Sequence, residues 1–280
     1  MIEKTVDKTF SIGTEWIYYK IYCGVKTADV VLLQVIKPIC ANLLKDKCID
    51  KWFFIRYADP DPHLRLRFHI TCEESISKII LMMRDSLDLY LENRQIWDVQ
   101  LATYQRELER YGTHTMTSAE SVFFYDSEQV LCMIEQSAND EERLVHAFHW
   151  LEELISLFQL ADIAQIAFLE RMQQQFKEEF EVKKQTTKQL NLKYKNLESL
   201  LFQSSSIRAK QEVLLSAVIK SIRDAEKNNL LDVSLEYLIS SYIHMSINRI
   251  FRSQQRLHEM LIYSFLYKKH KSKMARYGKL

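Results

Sequence analysis

The chain has 280 residues, 47% of them hydrophobic, and a formal net charge of +1, so it has room for one large domain or two small ones with a sizeable core and carries no global field to draw nucleic acid or an anionic membrane. Four glycines and three prolines, with no glycine between Gly112 and Gly278, exclude a glycine-rich phosphate loop and favour long helices. The first predicted element is a strand over Trp16–Cys23, aromatic and β-branched throughout. Ala28–Lys45 carries apolar residues at helical spacing, with Pro38 as the expected kink. Trp52–Tyr57 ends at Ala58-Asp59-Pro60, a turn signal, and an alternating run follows, which predicts a hairpin. Glu73–Glu92 sets Ile76, Ile79, Ile80, Met83, Leu87 and Tyr90 on one helical stripe. Trp97–Tyr104 alternates again, and its strand is expected to continue to Glu109. After Ser118 the spacing predicts helices near 118–136, 140–158, 162–182, 186–202, 207–227 and 234–268, with Asp140 and Ser206 as N-caps. The expected fold class is α+β: a small, mainly antiparallel sheet in residues 1–115 and a helical part in 116–280, together one domain spanning 1–280.

The five cysteines (Cys23, Cys40, Cys48, Cys72, Cys132) contain no CxxC pair, so a disulfide scaffold and structural zinc are not expected and a reducing compartment fits. Met1-Ile2-Glu3-Lys4 lacks a signal-peptide core, and no apolar run stands out as the ~20 residues of a membrane span. The expectation is a cytoplasmic protein.

The alternating run His63-Leu64-Arg65-Leu66-Arg67-Phe68 carries the strongest chemical signal. A strand sends successive side chains to opposite faces, so Leu64, Leu66 and Phe68 can bury while His63, Arg65 and Arg67 share the other face. Two guanidiniums about 7 Å apart call for anions, and a carboxylate or phosphate fits their fork best. That anion is either a Glu or Asp of the same fold or a ligand.

Three other groups bear weighing. Arg106 and Arg110 alternate with Glu107 and Glu109, a pattern typical of surface ion pairs that contribute little. His244 lies in an apolar helical stretch with Asn248 one turn on, either as a packing residue or as a proton-transfer group. Glu142, His146, His149 and Glu153 share a helical face at spacing suited to a metal, but all four come from one helix, so an ordinary solvated face is expected.

Four blocks then occur in order. They are Trp16 with Tyr19-Lys20-Ile21-Tyr22; the stretch Trp52–Tyr57, Asp59-Pro60 and His63–Phe68; Thr103-Tyr104, Arg106-Glu107 and Arg110-Tyr111-Gly112; and His244-Met245 with Asn248-Arg249. Together they resemble the C-terminal elimination domain of class I lanthipeptide dehydratases, the nisin dehydratase type, and the related free-standing thiopeptide-type bacteriocin biosynthesis proteins, over about residues 14–265. The resemblance implies a lyase that removes glutamate from glutamylated Ser and Thr of a precursor peptide, leaving dehydroalanine or dehydrobutyrine. It implies catalytic roles for Arg65, Arg67, Arg106 and His244, no cofactor and no metal. The implied partners are the glutamylated precursor peptide, a separate glutamylation protein that uses glutamyl-tRNA, and a cyclase; no direct nucleic-acid contact is expected.

Pyridine-forming thiopeptide cyclases share several of these blocks, and many carry a different residue, often proline, at the position of Arg106. Arg106 therefore favours elimination over a formal [4+2] cyclisation. A non-catalytic peptide-binding subunit is the remaining alternative. The chain departs from the family pattern at Thr113, where a second glycine is usual, at Ser246, where a second histidine is frequent, and at Arg252, where glycine is common. Thr113 bears on a turn, since glycine alone takes positive φ freely.

Overall fold

The strand-period sequences of the first hundred residues do form antiparallel sheet in the computed structural model, which describes residues 6–203 and 212–277. In chain order the elements are β1 (Thr9–Phe10), β2 (Trp16–Cys23), α1 (Val25–Val31), a π-helical turn (Leu32–Ile36), α2 (Lys37–Lys45), β3 (Ile49–Ala58), β4 (Pro62–Ile70), α3 (Glu74–Glu92), β5 (Ile96–Ala102), β6 (Tyr104–Gln105), α4 (Leu108–Tyr111), α5 (Met116–Gln136), α6 (Asp140–Leu157), α7 (Asp162–Glu179), α8 (Lys184–Leu201), α9 (Glu212–Lys227), α10 (Leu235–Ile250) and α11 (Gln255–Tyr277). The fold class is α+β. Among the described residues every strand pairing is antiparallel and no strand follows β6. The expected N-cap Ser206 lies outside the described residues.

The main sheet has the order β3-β4-β2-β5, and β1 pairs with β6 in a second, two-stranded sheet. One face of the main sheet, with Ile17, Tyr19, Ile21, Trp52, Phe54, Leu64, Leu66 and Phe68, is buried. α1 and α2 pack on β4 and β3. Pro38 does not break its helix. Lacking an N–H, it cannot complete the usual ladder, and the backbone loosens just before it into a π turn in which Lys37 N donates to Leu32 O, five residues back. Val25–Lys45 is long and apolar enough to cross a membrane by length and composition, contrary to the sequence expectation, but half of it is buried, as in a core helix.

β3 is an edge strand, yet its outward backbone groups at Phe54 and Arg56 are occupied. Phe54 N donates to Ser127 Oγ and Phe54 O accepts from Arg249 Nε at 2.7 Å. Asn248 closes the next rung with both ends of its amide: Arg56 N donates to its Oδ1 at 2.9 Å, and its Nδ2 donates to Arg56 O at 2.8 Å. Beneath them Arg249 pairs with Asp126 at 2.9 Å, with Ser246 Oγ donating to the same carboxylate. Asn248→Ala strands a donor and an acceptor together, each costing about 1–3 kcal/mol. The expected destabilisation is roughly 2–4 kcal/mol in denaturant unfolding; a loss below about 0.5 kcal/mol would show that water replaces the amide without cost.

The predicted helix 234–268 is two helices. Arg56 Nε takes the carbonyl of Arg249 at 2.8 Å, Phe251 is extended, and Gln254 has φ of 53°, so α10 ends where it meets β3. The strand expected through Glu109 stops at Gln105 and gives way to α4. Thr113 adopts no positive φ; Gly112 does, at 76°, and Thr113 N donates to Asp232 at 2.6 Å.

The chain divides into two compact units: residues 1–135 with 209–253, and residues 136–208 with 254–280. The first unit joins α5 and α10 to the sheet. In the second unit α11 packs on α6, α7 and α8 around Phe168, Phe176 and Tyr263. The face with Glu142, His146, His149 and Glu153 holds no metal cluster among the described residues. Glu142 accepts from Ala138 N and from the Asn139 side chain, His146 meets Ser137 Oγ, and His149 Nε2 donates to Leu200 O. Asn139 rather than Asp140 is the N-cap of α6, accepting from Glu141 N and Glu142 N.

Candidate functional site

Strand register assembles the site on the face of the sheet opposite α1 and α2. Tyr18, Lys20 and Tyr22 of β2 stand opposite Arg67, Arg65 and His63 of β4, which in turn stand opposite Phe53, Ile55 and Tyr57 of β3. The result is a row of cations set among aromatic rings.

Arg67 is 8% exposed. Its guanidinium lies 4.4 Å from the Tyr18 ring centroid, 4.8 Å from Tyr104 and 5.2 Å from Phe53. Its Nε has no hydrogen-bond partner, and among the described residues no carboxylate forms an ion pair with it. Burial pulls its pKa down from the usual arginine range. Cation–π contacts recover only part of the cost of burying an unpaired charge.

Arg65, two residues away, is half-buried with its guanidinium 3.4 Å from the Tyr57 ring centroid. His63 orients it. The His63 Nδ1–H donates to Asp61 O at 2.8 Å, which leaves Nε2 to accept from Arg65 Nε at 3.1 Å, so the ring is a neutral imidazole. Burial first, and then the charges of Arg65 and Lys20, push its pKa down against a rise from the Asp61 carbonyl. Burial likewise lowers His146 and His149. All three therefore take protons more readily unfolded than folded. Stability is fully present above about pH 6.5 and is lost as pH falls through the folded values. Melting temperature should accordingly fall as pH drops below about 6.5; a flat profile there would mean that the rings protonate without losing their partners.

The two readings of the arginines thus separate. Arg65 and Arg67 have no acidic partner from their own fold among the described residues, whereas Arg106 does. Arg106 Nε and Nη2 grip both oxygens of the buried Glu120 at 2.7 and 2.8 Å, and Nη1 donates to Asp7 O at 3.0 Å. Tyr104 Oη donates to the same carboxylate at 2.9 Å. The surface pairing expected for Arg106 is replaced by a buried fork, while Arg110 does pair with Glu107, at 3.5 Å. Arg106 reaches the site through Tyr104, whose ring it holds against Arg67 by way of Glu120.

His244 is half-buried on α10. Arg110 Nε donates to Ser241 Oγ at 3.2 Å, and Asn248 is fixed to Arg56, so the helical stripe 241–244–248 faces α4 at one end and β3 at the other. Arg56 adjoins Tyr57, the ring beneath Arg65. The motif blocks contain Tyr57 and Tyr104 without giving them a task, and they leave out Tyr18 and Glu120. Tyr18 had a signal, since register sets it opposite Arg67; Glu120 had none, being one acidic residue on an otherwise apolar helix face.

Comparison with known proteins follows this geometry. A family described as lantibiotic biosynthesis dehydratase C-term matches residues 16–270. The subtilin biosynthesis protein SpaB of Bacillus subtilis is 26% identical over 266 residues, 89% of this chain and 25% of SpaB. The chain spans about a quarter of the length of that relative. Among solved structures, the tRNA-dependent lantibiotic dehydratase MibB from Microbispora sp. 107891 aligns with 98% of this chain and 29% of its own, with a TM-score of 0.73 and 19% identity. The pyridine synthase TbtD from thiomuracin biosynthesis aligns with 92% of this chain and 98% of its own, with a TM-score of 0.54 and 11% identity. At those identities the two structural likenesses establish the fold.

Proposed function

The chain belongs to the family of lantibiotic biosynthesis dehydratase C-terminal domains, and we propose that within lanthipeptide or related bacteriocin biosynthesis it removes glutamate from glutamylated Ser and Thr of a precursor peptide. The observation that carries the reading is the pair Arg65 and Arg67, two guanidiniums on one face with no acidic partner among the described residues, one of them almost wholly buried. A fold that keeps an unpaired buried cation has a use for an anion there.

The reaction is a β-elimination. The Cα proton leaves to a base, its electron pair becomes the Cα–Cβ double bond, and the Cβ–O bond breaks with its electrons on the departing glutamate carboxylate. Arg67 and Arg65 stabilise that carboxylate as it forms, where preorganised charge in a poorly hydrated site is worth most. The rings of Tyr18, Tyr57 and Tyr104 keep water from the guanidiniums. Arg106 acts as a positioning residue through Glu120 and Tyr104. His244 transfers a proton, as base toward Cα or as acid toward the leaving group. The partners of this reading are the glutamylated precursor and the protein that glutamylates it from glutamyl-tRNA.

The test is to incubate the purified chain with a glutamylated precursor and weigh the product. Loss of one glutamic acid per modified site supports elimination. An unchanged ester defeats it, and a mass change only with a peptide already carrying dehydroalanines assigns the chain to the cyclisation chemistry of the TbtD-like fold.

A further inference from the structure

The arginine face holds a third cation to which neither the motifs nor the mechanism assigns a task. Lys20 stands directly opposite Arg65 in the β2–β4 register, so both side chains leave the same face with their Cβ atoms about 5 Å apart. Like charges placed directly opposite destabilise a sheet. The fold does not relieve this pair. Among the described residues Lys20 has no ion-pair partner. The acidic side chain nearest in register, Asp98 on β5, instead accepts from Gln100 Nε2 at 2.5 Å. Lys20 is half-buried between Tyr18 and Tyr22, and its field reaches His63 on the neighbouring β4 and disfavours a charge there. Lys20, Arg65 and Arg67 therefore form a triangle of three cations, one nine-tenths buried with an unpartnered Nε.

Three cations exceed what one carboxylate needs. The departing glutamate has two: the one created when Cβ–O breaks, and a second that is charged throughout. Four carbon–carbon bonds of about 1.5 Å set its carboxyl carbons roughly 5 Å apart in an extended chain, too far for one cation to hold both.

We propose that Lys20 is the specificity-determining residue of this site: its ammonium holds the carboxylate that the glutamyl group carries throughout the reaction, leaving Arg65 and Arg67 for the one that forms. The inference rests on the elimination reading. A lysine ammonium is a compact point charge suited to a carboxylate that needs binding rather than bidentate transition-state geometry. Lys20 therefore selects a glutamyl ester over its neutral amide counterpart.

The experiment compares precursor peptides carrying glutamyl and glutaminyl esters, with the wild-type chain and with Lys20→Met and Lys20→Arg. The two esters differ only in carboxylate against amide. Wild-type chain should prefer the glutamyl ester. Lys20→Met should lower kcat/KM for that ester by about 10–100-fold, chiefly through KM, because a uniformly bound contact is lost. Its rate with the glutaminyl ester should hold, so the preference collapses; Lys20→Arg should restore it in part. Removing one of two facing cations should leave the melting temperature of Lys20→Met at or above wild type, which separates lost recognition from lost folding. Equal loss on both esters, or no loss on either, overturns the proposal while the elimination reading stands. A wild-type chain that releases nothing from either ester removes both.

Discussion

Replacing Arg67 with methionine should make the protein more stable and nearly inactive. The two effects have one cause. Arg67 is buried against Tyr18, Phe53 and Tyr104 with an unpartnered Nε and no acidic partner among the described residues. An apolar side chain of similar length removes the desolvation cost and keeps the packing, and exchanging buried charge for well-packed apolar side chains is often neutral or stabilising by about 1–4 kcal/mol. Loss of a preorganised cation at a developing carboxylate costs about 10²–10³ in rate. Glutamylated peptide should accumulate while the unfolding midpoint rises. A large fall in stability would mean that the guanidinium is a structural element whose partners are the rings themselves, and the anion site would have to be sought elsewhere. Arg106 gives the opposite pattern. Its removal leaves Glu120 buried without its fork, so Arg106→Met should destabilise by about 3–5 kcal/mol, as for any broken buried pair.

His244→Ala should cut elimination by roughly 10²-fold or more, the usual scale for a positioned acid–base group, with folding nearly intact. Asn248, not His244, closes the β3 edge, so the neighbouring contacts to Arg56 survive the substitution. Circular dichroism and a melting curve check the fold, and mass spectrometry follows the ester. Wild-type elimination by His244→Ala would make the imidazole a packing residue, and the proton transfer would pass to another group on the arginine face.

What was legible beforehand follows from the range of each interaction. The hairpin of β3 and β4, and the shared face of Arg65 and Arg67, depend on period-2 alternation within one short segment and were readable. The long helices after residue 118 were readable from 3.6-residue spacing for the same reason. The break after Ile250 was not, because no glycine or proline marks it; Arg56, far away on β3, takes the carbonyl that would continue the helix. Glu120 was hidden likewise. Its partner Arg106 lies 14 residues earlier, beyond the short helix α4 and a turn, and only the folded chain brings them together. Motif resemblance pointed to Arg106, and the fork it makes on Glu120 was not legible with it. The third cation, Lys20, lay inside a recognised block, and its place opposite Arg65 appeared only with the strand register.

The closure of the β3 edge by Ser127, Asn248 and Arg249 has a consequence for how a peptide is read. An open edge offers a template of alternating donors and acceptors, and a chain that adds to it is held in a fixed frame, residue against residue. At Phe54 and Arg56 of β3 the template is already spent on side chains. A peptide arriving on that flank finds no main-chain partner to fix its phase, so the flanking sequence exerts no frame there and the chain is free to slide. Selection then passes to whatever single side chain carries the charge. Under the elimination reading, a surface of this kind suits processing at several positions along one flexible peptide, each visit independent of the last.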